Sequence, residues 1–285
     1  HGIPTLAGRA RRMGLDFLSV TNHNNFSENL ALPAVPGLTL IPGVEWTHYK
    51  GHMNFFGVPR PFRNSFVANS EEDMLRVVGE AKEAGAVVSV NHPRCNLCPY
   101  LWENKDCFSM IEIWNGPMRA VNKAGIAWWA QFLDGGRRVA AVGGSDFHRD
   151  LRPVRLGRPV TAVYAASPSA ADILAAAAAG KSYVTSSING PRLSLSCAGE
   201  SFGATVGAPG PHEVAFGAER LPIGAKLRLI GPGGKELAAA KRGGKGAASG
   251  KARVEGVGYC YVVASVRLPF FGERPLAVSN PIYFN

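Results

Sequence analysis

A chain of 285 residues, 46% hydrophobic and 18% charged, can bury one large core, or a core of about two-thirds of its length beside a smaller module, and two units are expected. No apolar run approaches the roughly 18 residues that a helix needs to cross a bilayer, so no membrane span is expected. The net charge of +10 leaves three readings, a nucleic-acid partner, an anionic substrate or a soluble surface.

Taken in order, the first two-thirds alternates apolar strand runs with helical patterns. Pro4 to Met13 reads as a helix with proline near its start and Gly14 as its stop, followed by a strand over Leu15 to Val20. Leu38 to Ile41, Val44 to Trp46 and Met53 to Val58 read as three short strands. Ser70 before Glu71, Glu72 and Asp73 caps a helix running to Gly85, and Ala86 to Val90 is a buried strand. The unit recurs as Met110 to Trp114, a helix over Met118 to Leu133, and Arg138 to Val142. It recurs again as Thr161 to Tyr164, a helix over Ser169 to Ala179, and Ser182 to Ser186. Repeated β-α units predict parallel strands in a sheet or barrel.

After about residue 188 the texture changes. Arg192 to Cys197, His212 to Phe216, Lys226 to Ile230, Gly258 to Arg267 and Leu276 to Phe284 read as strands between Gly/Pro-rich turns, a β-sandwich module of about a hundred residues. Expected units are therefore 1–188 and 189–285. The cations Lys235, Lys241, Arg242, Lys245, Lys251 and Arg253 fall in a Gly/Ala-rich stretch without interleaved aromatics, which reads as a solvated loop and disfavours nucleic acid.

Four polar clusters fall where an apolar strand is expected to end. They are Thr21-Asn22-His23-Asn24, Pro42-Gly43-Val44-Glu45, Asn91-His92-Pro93, and Gly143-Gly144-Ser145-Asp146-Phe147-His148. Strand C-termini are where α/β proteins place their chemistry, and His52, just before the Met53 strand, can reach the same mouth. Any one of these histidines alone would read as a hydrogen-bonded core or loop residue; the set reads as a site for Zn²⁺, Mn²⁺ or Fe. His48 sits in a turn and is set aside. Arg149 is placed to clamp an anionic substrate and Asn115 to contact it. Glu112, inside a strand motif, reads as structural or supporting.

The cysteines leave alternatives open. Cys95 and Cys98 form a C-x-x-C beside His92, with Cys107 near, too few for a structural zinc site. A disulfide in this loop and another between Cys197 and Cys260 would fit an exported protein; plain core thiols would fit a cytoplasmic one. The chain begins at His1 beside a helical stretch, so a leader or an initial strand before it is also an expectation.

At these residues the sequence resembles the PHP (polymerase and histidinol phosphatase) superfamily, and within it the CehA/McbA-type metallohydrolases. The stretches that carry the likeness are Gly14-Leu15-Asp16-Phe17 through Asn24, Ile41 to Glu45, Gly51-His52-Met53-Asn54, Asn91-His92-Pro93, Ile111 to Gly116, Gly144 to His148, and the closing Ser279-Asn280-Pro281-Ile282-Tyr283. The resemblance implies a distorted seven-stranded (β/α) barrel holding two or three divalent ions and hydrolysing phosphate esters, or carboxyl or carbamate esters in some relatives. Carried over, Glu45 would bridge two ions, His52 and His92 would complete one, Asp146 would ligate the other, and His23 and His148 would hold a third. His92, Asp146 and His148 would be the catalytic set. Two departures stand out. No His-x-His pair precedes His23, and Asn22 stands where relatives carry Asp. His1, followed by Gly2, stands about where relatives have a further ligand and either completes the third position or is a tag remnant or frayed terminus outside it. A small anionic or ester substrate follows from this reading. The competing class is a non-catalytic barrel with a binding β module.

Overall fold

The computed structural model describes residues 2–150, 153–207, 210–270 and 272–285. Helix α1 (Ile3–Arg12) buries Ile3, Ala7 and Ala10 and places Arg9, Arg11 and Arg12 in its last turn, where cations complement the helix dipole. Helix α2 (Glu71–Glu83) is capped as its sequence demands. The Asp73 N–H donates to Ser70 Oγ at 3.1 Å and the Asn69 N–H to Asp73 Oδ2 at 2.9 Å, while Met74, Val77, Val78 and Ala81 form the buried stripe. Helices α3 (Ala120–Asp134) and α4 (Ala170–Ala178) follow, the latter with Ser169 Oγ accepting from the Asp172 N–H.

The first sheet runs in chain order through six strands: β1 (Phe17–Val20), β2 (Thr39–His48), β3 (Gly51–Phe56), β4 (Val87–Asn91), β5 (Met110–Asn115) and β6 (Ala140–Gly144). It curls into a half-barrel. Two expectations are corrected here. The runs Leu38–Ile41 and Val44–Trp46 are one continuous strand, β2, and β3 pairs antiparallel with both neighbours; within this sheet the parallel pairs are β1–β2, β4–β5 and β5–β6. The reason is the tight turn at Tyr49 and Lys50, closed by Gly51 at φ +131°, which returns the chain before any helix can intervene.

Strand register separates chemistry from packing. Glu45 faces Asn54, Thr47 faces His52, His52 faces Asn91 and Asn54 faces Ser89, so these six polar residues share the concave face. Alternating with them, Val44, Trp46, Met53, Phe55, Val88 and Val90 are buried on the convex face, in one core with residues of α2 and α3. At about 25 cal/mol per Å² of apolar surface removed from water, this face carries much of the sheet's stability.

The remaining strands form an eight-stranded sheet and a three-stranded one. They are β7 (Val160–Val163), β8 (Ser182–Thr185), β9 (Arg192–Cys197), β10 (Thr205–Val206), β11 (His212–Glu219), β12 (Ala225–Ile230), β13 (Glu236–Lys241), β14 (Ala248–Val254), β15 (Tyr259–Leu268), β16 (Gly272–Ser279) and β17 (Ile282–Phe284). The basic stretch expected as a solvated loop is corrected to β13 and β14. Alternate small residues there pack on β12 and β11, while Lys251 pairs outward with Glu213. The last β-α unit pairs differently from its predecessors, since β7 and β8 are antiparallel and β8 continues onto β16.

Side chains join β6 to its neighbours. Thr161 Oγ1 accepts from the Gly143 N–H at 2.9 Å and donates to the Gly143 carbonyl at 2.8 Å. The fully buried Asn280 amide accepts from the Ala141 N–H at 2.7 Å and donates to the carbonyls of Ala141 and Ser182 at 3.0 and 3.1 Å. Each side chain does what a peptide group does in a ladder. Gly143 permits the approach, because a Cβ there would meet Val184 Cγ1 at 2.5 Å.

Candidate metal centre

β1 and β2 continue as a ladder past their last paired residues. The Glu45 N–H donates to the Asn22 carbonyl and the Asn24 N–H to the Glu45 carbonyl. The Asn24 amide then pairs with both backbone groups of Thr47, at 2.9 and 3.0 Å. This fixes His23 beside Glu45. Asn24 at φ +47°, His92 at +29° and Asp146 at +48° are left-handed without being glycine. Such backbone costs on the order of 1–3 kcal/mol per residue and clusters at ligand clamps.

Glu45 is 4% exposed and its carboxylate meets three imidazoles. Oε1 lies 2.9 Å from His52 Nδ1 and 3.4 Å from His92 Nε2, and Oε2 lies 3.5 Å from His23 Nδ1. His23 Nε2 is 2.9 Å from His148 Nε2, and His148 Nδ1 is 2.9 Å from the Asp146 carbonyl and 3.4 Å from its carboxylate. The structure thus brings His23, Glu45, His52, His92, Asp146 and His148 into one chain of contacts. His1 lies outside the described residues.

Beneath them, Glu112 accepts from the His92 N–H at 2.9 Å and from the Asn115 amide at 3.2 and 3.3 Å. Asn115 lines the same cavity; Arg149 is exposed and outside the lining. His48 is turned away, its Nε2 on the Ala68 carbonyl and its ring against Trp102. Asn22 gives its amide to Glu28 at 2.6 Å.

The cavity holds about 910 Å³. Its lining is polar on one part, with His23, Glu45, Asn91, His92, Glu112, Asp146 and His148, and apolar on another, with Phe17, Ile41, Phe56, Met110 and Leu174. The buried Oδ1 atoms of Asn54 and Asn91 border it without a hydrogen-bond partner.

Burial acts to raise the Glu45 carboxyl, but hydrogen bonds from His52 and His92 and the charge of His23 hold it well below the usual carboxylate range. For His92, burial acts downward and is overcome by Cys98, Glu45 and Glu112, which take the imidazole up to about 11. Burial drives Glu112 up to about 7, helped by Asp146.

Two sets of donor atoms, each within 4.8 Å of one another, could hold a metal ion: His23 with Glu45 and His52, and His52 with His92 and Cys98. Cys98 was not among the candidate donors read from the sequence, although the C-x-x-C beside His92 was its signal. Cys95, Cys98, Cys107, Cys197 and Cys260 are all free thiols, so neither disulfide considered from the sequence is formed.

No protein-family model matches the chain, and no curated protein matches it. Among solved structures, the chain is similar to a candidate metal-dependent phosphoesterase from Bifidobacterium adolescentis, at 15% identity over 54% of this chain and 84% of that one, with a TM-score of 0.36. A likeness this distant bears no weight, and the chemistry rests on the geometry above.

Proposed function

We propose that the chain is a divalent-metal hydrolase of the PHP type acting on phosphate esters. Glu45 carries the reading: a buried carboxylate whose ion pairs are with three imidazoles, in the lining of a large cavity. Carboxylate oxygen and imidazole nitrogen are the donors that Zn²⁺, Mn²⁺ and Fe²⁺ accept, and the unpartnered Asn91 and Asn54 oxygens beside them suit a cationic neighbour. Glu45, His52 and His92 would hold one ion, and Asp146, His148 and His23 one or two more, with His1 a further donor.

A bound divalent ion supplies Lewis acidity, acidifying water and neutralising charge on a phosphoryl oxygen. The chain's own residues do the rest. Glu112 orients His92 through its N–H, and Asn115 is held against Glu112 to meet substrate. His148, half exposed beside Asp146, is placed to orient the leaving group, and Arg149 to meet a phosphate as it enters. The seven-stranded barrel of this type is supported by β7, which Thr161 fastens beside β6. The functional division near residue 188 is kept, since the proposed ligands all precede it.

A second reading, a carboxyl or carbamate ester substrate, is favoured by the apolar part of the cavity lining, where Phe17, Ile41, Phe56 and Leu174 would seat an acyl or aryl group.

Metal analysis beside hydrolysis of generic phosphate and carboxyl esters, with added Mn²⁺ or Zn²⁺, tests both. The expected result is at least one tightly bound ion, turnover of the phosphate ester, and loss of turnover in Asp146→Ala with His148→Ala. Carboxyl ester turnover alone would transfer the proposal to the second reading. Less than one bound ion and no turnover would leave a binding module.

A further inference from the structure

We propose that Cys98 is a metal ligand, and that with His52 and His92 it makes a thiolate-containing position that prefers Zn²⁺ to Mn²⁺ or Mg²⁺. The inference rests on the metal-hydrolase reading for the presence of an ion, and adds which donor sets its identity. Cys98 Sγ lies 3.5 Å from His92 Nδ1, and the donor atoms of Cys98, His92 and His52 fall within 4.8 Å of one another.

The loop that carries Cys98 is held at both ends. At its start the Cys95 N–H donates to the His92 carbonyl at 2.8 Å. At its end the Tyr100 N–H donates to the Pro93 carbonyl at 3.0 Å and the Leu101 N–H to the Lys50 carbonyl at 2.7 Å. Tyr100 is buried against Gly51, where a Cβ would come within 3.1 Å of its Cα, so the loop sits directly on the β2–β3 turn that presents His52. Between the anchors Leu97 is 93% exposed, while Cys98 is turned in toward His92. Packing does not explain this inward thiol. Cys107, Cys197 and Cys260 are buried core residues, and Cys98 is only half-buried beside two imidazoles.

One sulfur and two nitrogens are three donors of the kind that a zinc site takes. Thiolate is the soft donor of the set and discriminates against Mn²⁺ and Mg²⁺, which take oxygen. On binding, the S–H bond gives way to a sulfur–metal bond and the proton passes to solvent. Cys95, with its Sγ 3.1 Å from that of Cys98, is the neighbour that must be excluded as the true donor.

The test uses the full chain stripped with a chelator and titrated with Co²⁺, which takes zinc sites and reports its donors by absorption. Expected are visible d–d bands and a near-ultraviolet sulfur-to-cobalt charge-transfer band, both saturating with bound metal. The charge-transfer band should be lost in Cys98→Ser, kept in Cys95→Ser, and accompanied in the wild type by loss of one reactive thiol when Zn²⁺ is added. Cys98→Ser should also narrow the Zn²⁺ over Mn²⁺ preference at least tenfold. Its circular dichroism and remaining d–d bands show that it is folded and still binds. Cobalt bound without the charge-transfer band, or with a band that survives Cys98→Ser, overturns the proposal and leaves the metal-hydrolase reading standing. Failure of any ion to bind overturns both.

Discussion

Glu45 Oε1 lies 2.9 Å from His52 Nδ1 across a turn that reverses the chain between them, so a spacing of seven residues becomes a diagonal contact on one sheet face. The same oxygen meets His92, and the other meets His23, which makes Glu45 the shared member of the cluster. Glu45→Gln keeps the shape and removes the charge. Affinity for Zn²⁺ or Mn²⁺ is expected to fall by more than roughly 100-fold, beyond the usual cost of losing only an outer hydrogen-bond partner. Dialysis followed by elemental analysis measures it, and retention of the wild-type metal content would refute the central role of Glu45.

Metal affinity should climb with pH. Cys98, Glu45 and Glu112 push His92 up to about 11 against the effect of burial, and it must shed its proton to act as a donor. Across pH 6.5 to 9 the apparent affinity is expected to gain about tenfold per unit for this proton. Stability of the metal-free protein runs the other way. A raised imidazole pKa stabilises fully below its ordinary value of 6.5, and that contribution is lost as pH rises through about 11. His92→Gln should flatten both trends; metal titrations and urea midpoints at pH 7 and 9 give the comparison.

Asn280→Ala removes an amide that serves Ala141 and Ser182 from inside the core. Stranding a buried donor or acceptor costs about 1–3 kcal/mol each, so a loss of roughly 3 kcal/mol or more is expected in urea unfolding. Asn280→Asp fits the same space but cannot donate to the two carbonyls, and should fare no better. A loss under about 0.5 kcal/mol in both would show that the amide is dispensable.

Gly143→Ala places a methyl 2.5 Å from Val184 Cγ1 and 2.9 Å from the Trp114 carbonyl. Overpacking of this kind costs about 1–3 kcal/mol. Combining it with Val184→Ala relieves the side-chain clash but not the backbone one, so a double-mutant cycle should recover part of the loss and not all of it. Full recovery would exonerate the Trp114 carbonyl.

The helices and the clustering polar residues were readable because local chemistry wrote them. Ser70 with its acidic first turn, the apolar stripe at Met74, Val77, Val78 and Ala81, and polar clusters after apolar runs need no tertiary knowledge. What could not be read depended on partners far along the chain. Pro42 and Gly43 punctuate β2 and look like a break, yet the Pro42 carbonyl accepts from the Gly57 N–H and the strand runs on. The Gly/Ala texture of residues 236 to 254 resembles a loop until β11 and β12 supply neighbours for its small side chains. The role of Cys98 stayed open for the same reason. This cysteine lies six positions after His92 in sequence, and only the anchoring of the loop on the β2–β3 turn shows which way its sulfur faces.

The amide at Asn280 has a bearing on the order of events during synthesis. Ala141 is made 139 residues before the side chain that pairs with it. Contacts of such separation close late, and long-range closure slows folding. While the chain emerges, the polar concave face exists without its fastening, with the edge of β6 open to other strands. A ribosome-stalled chain ending at residue 188 should therefore be protease-sensitive at β6, and release past residue 280 should protect it abruptly. Asn280 finishes a wall whose sixth strand was laid down 139 residues earlier.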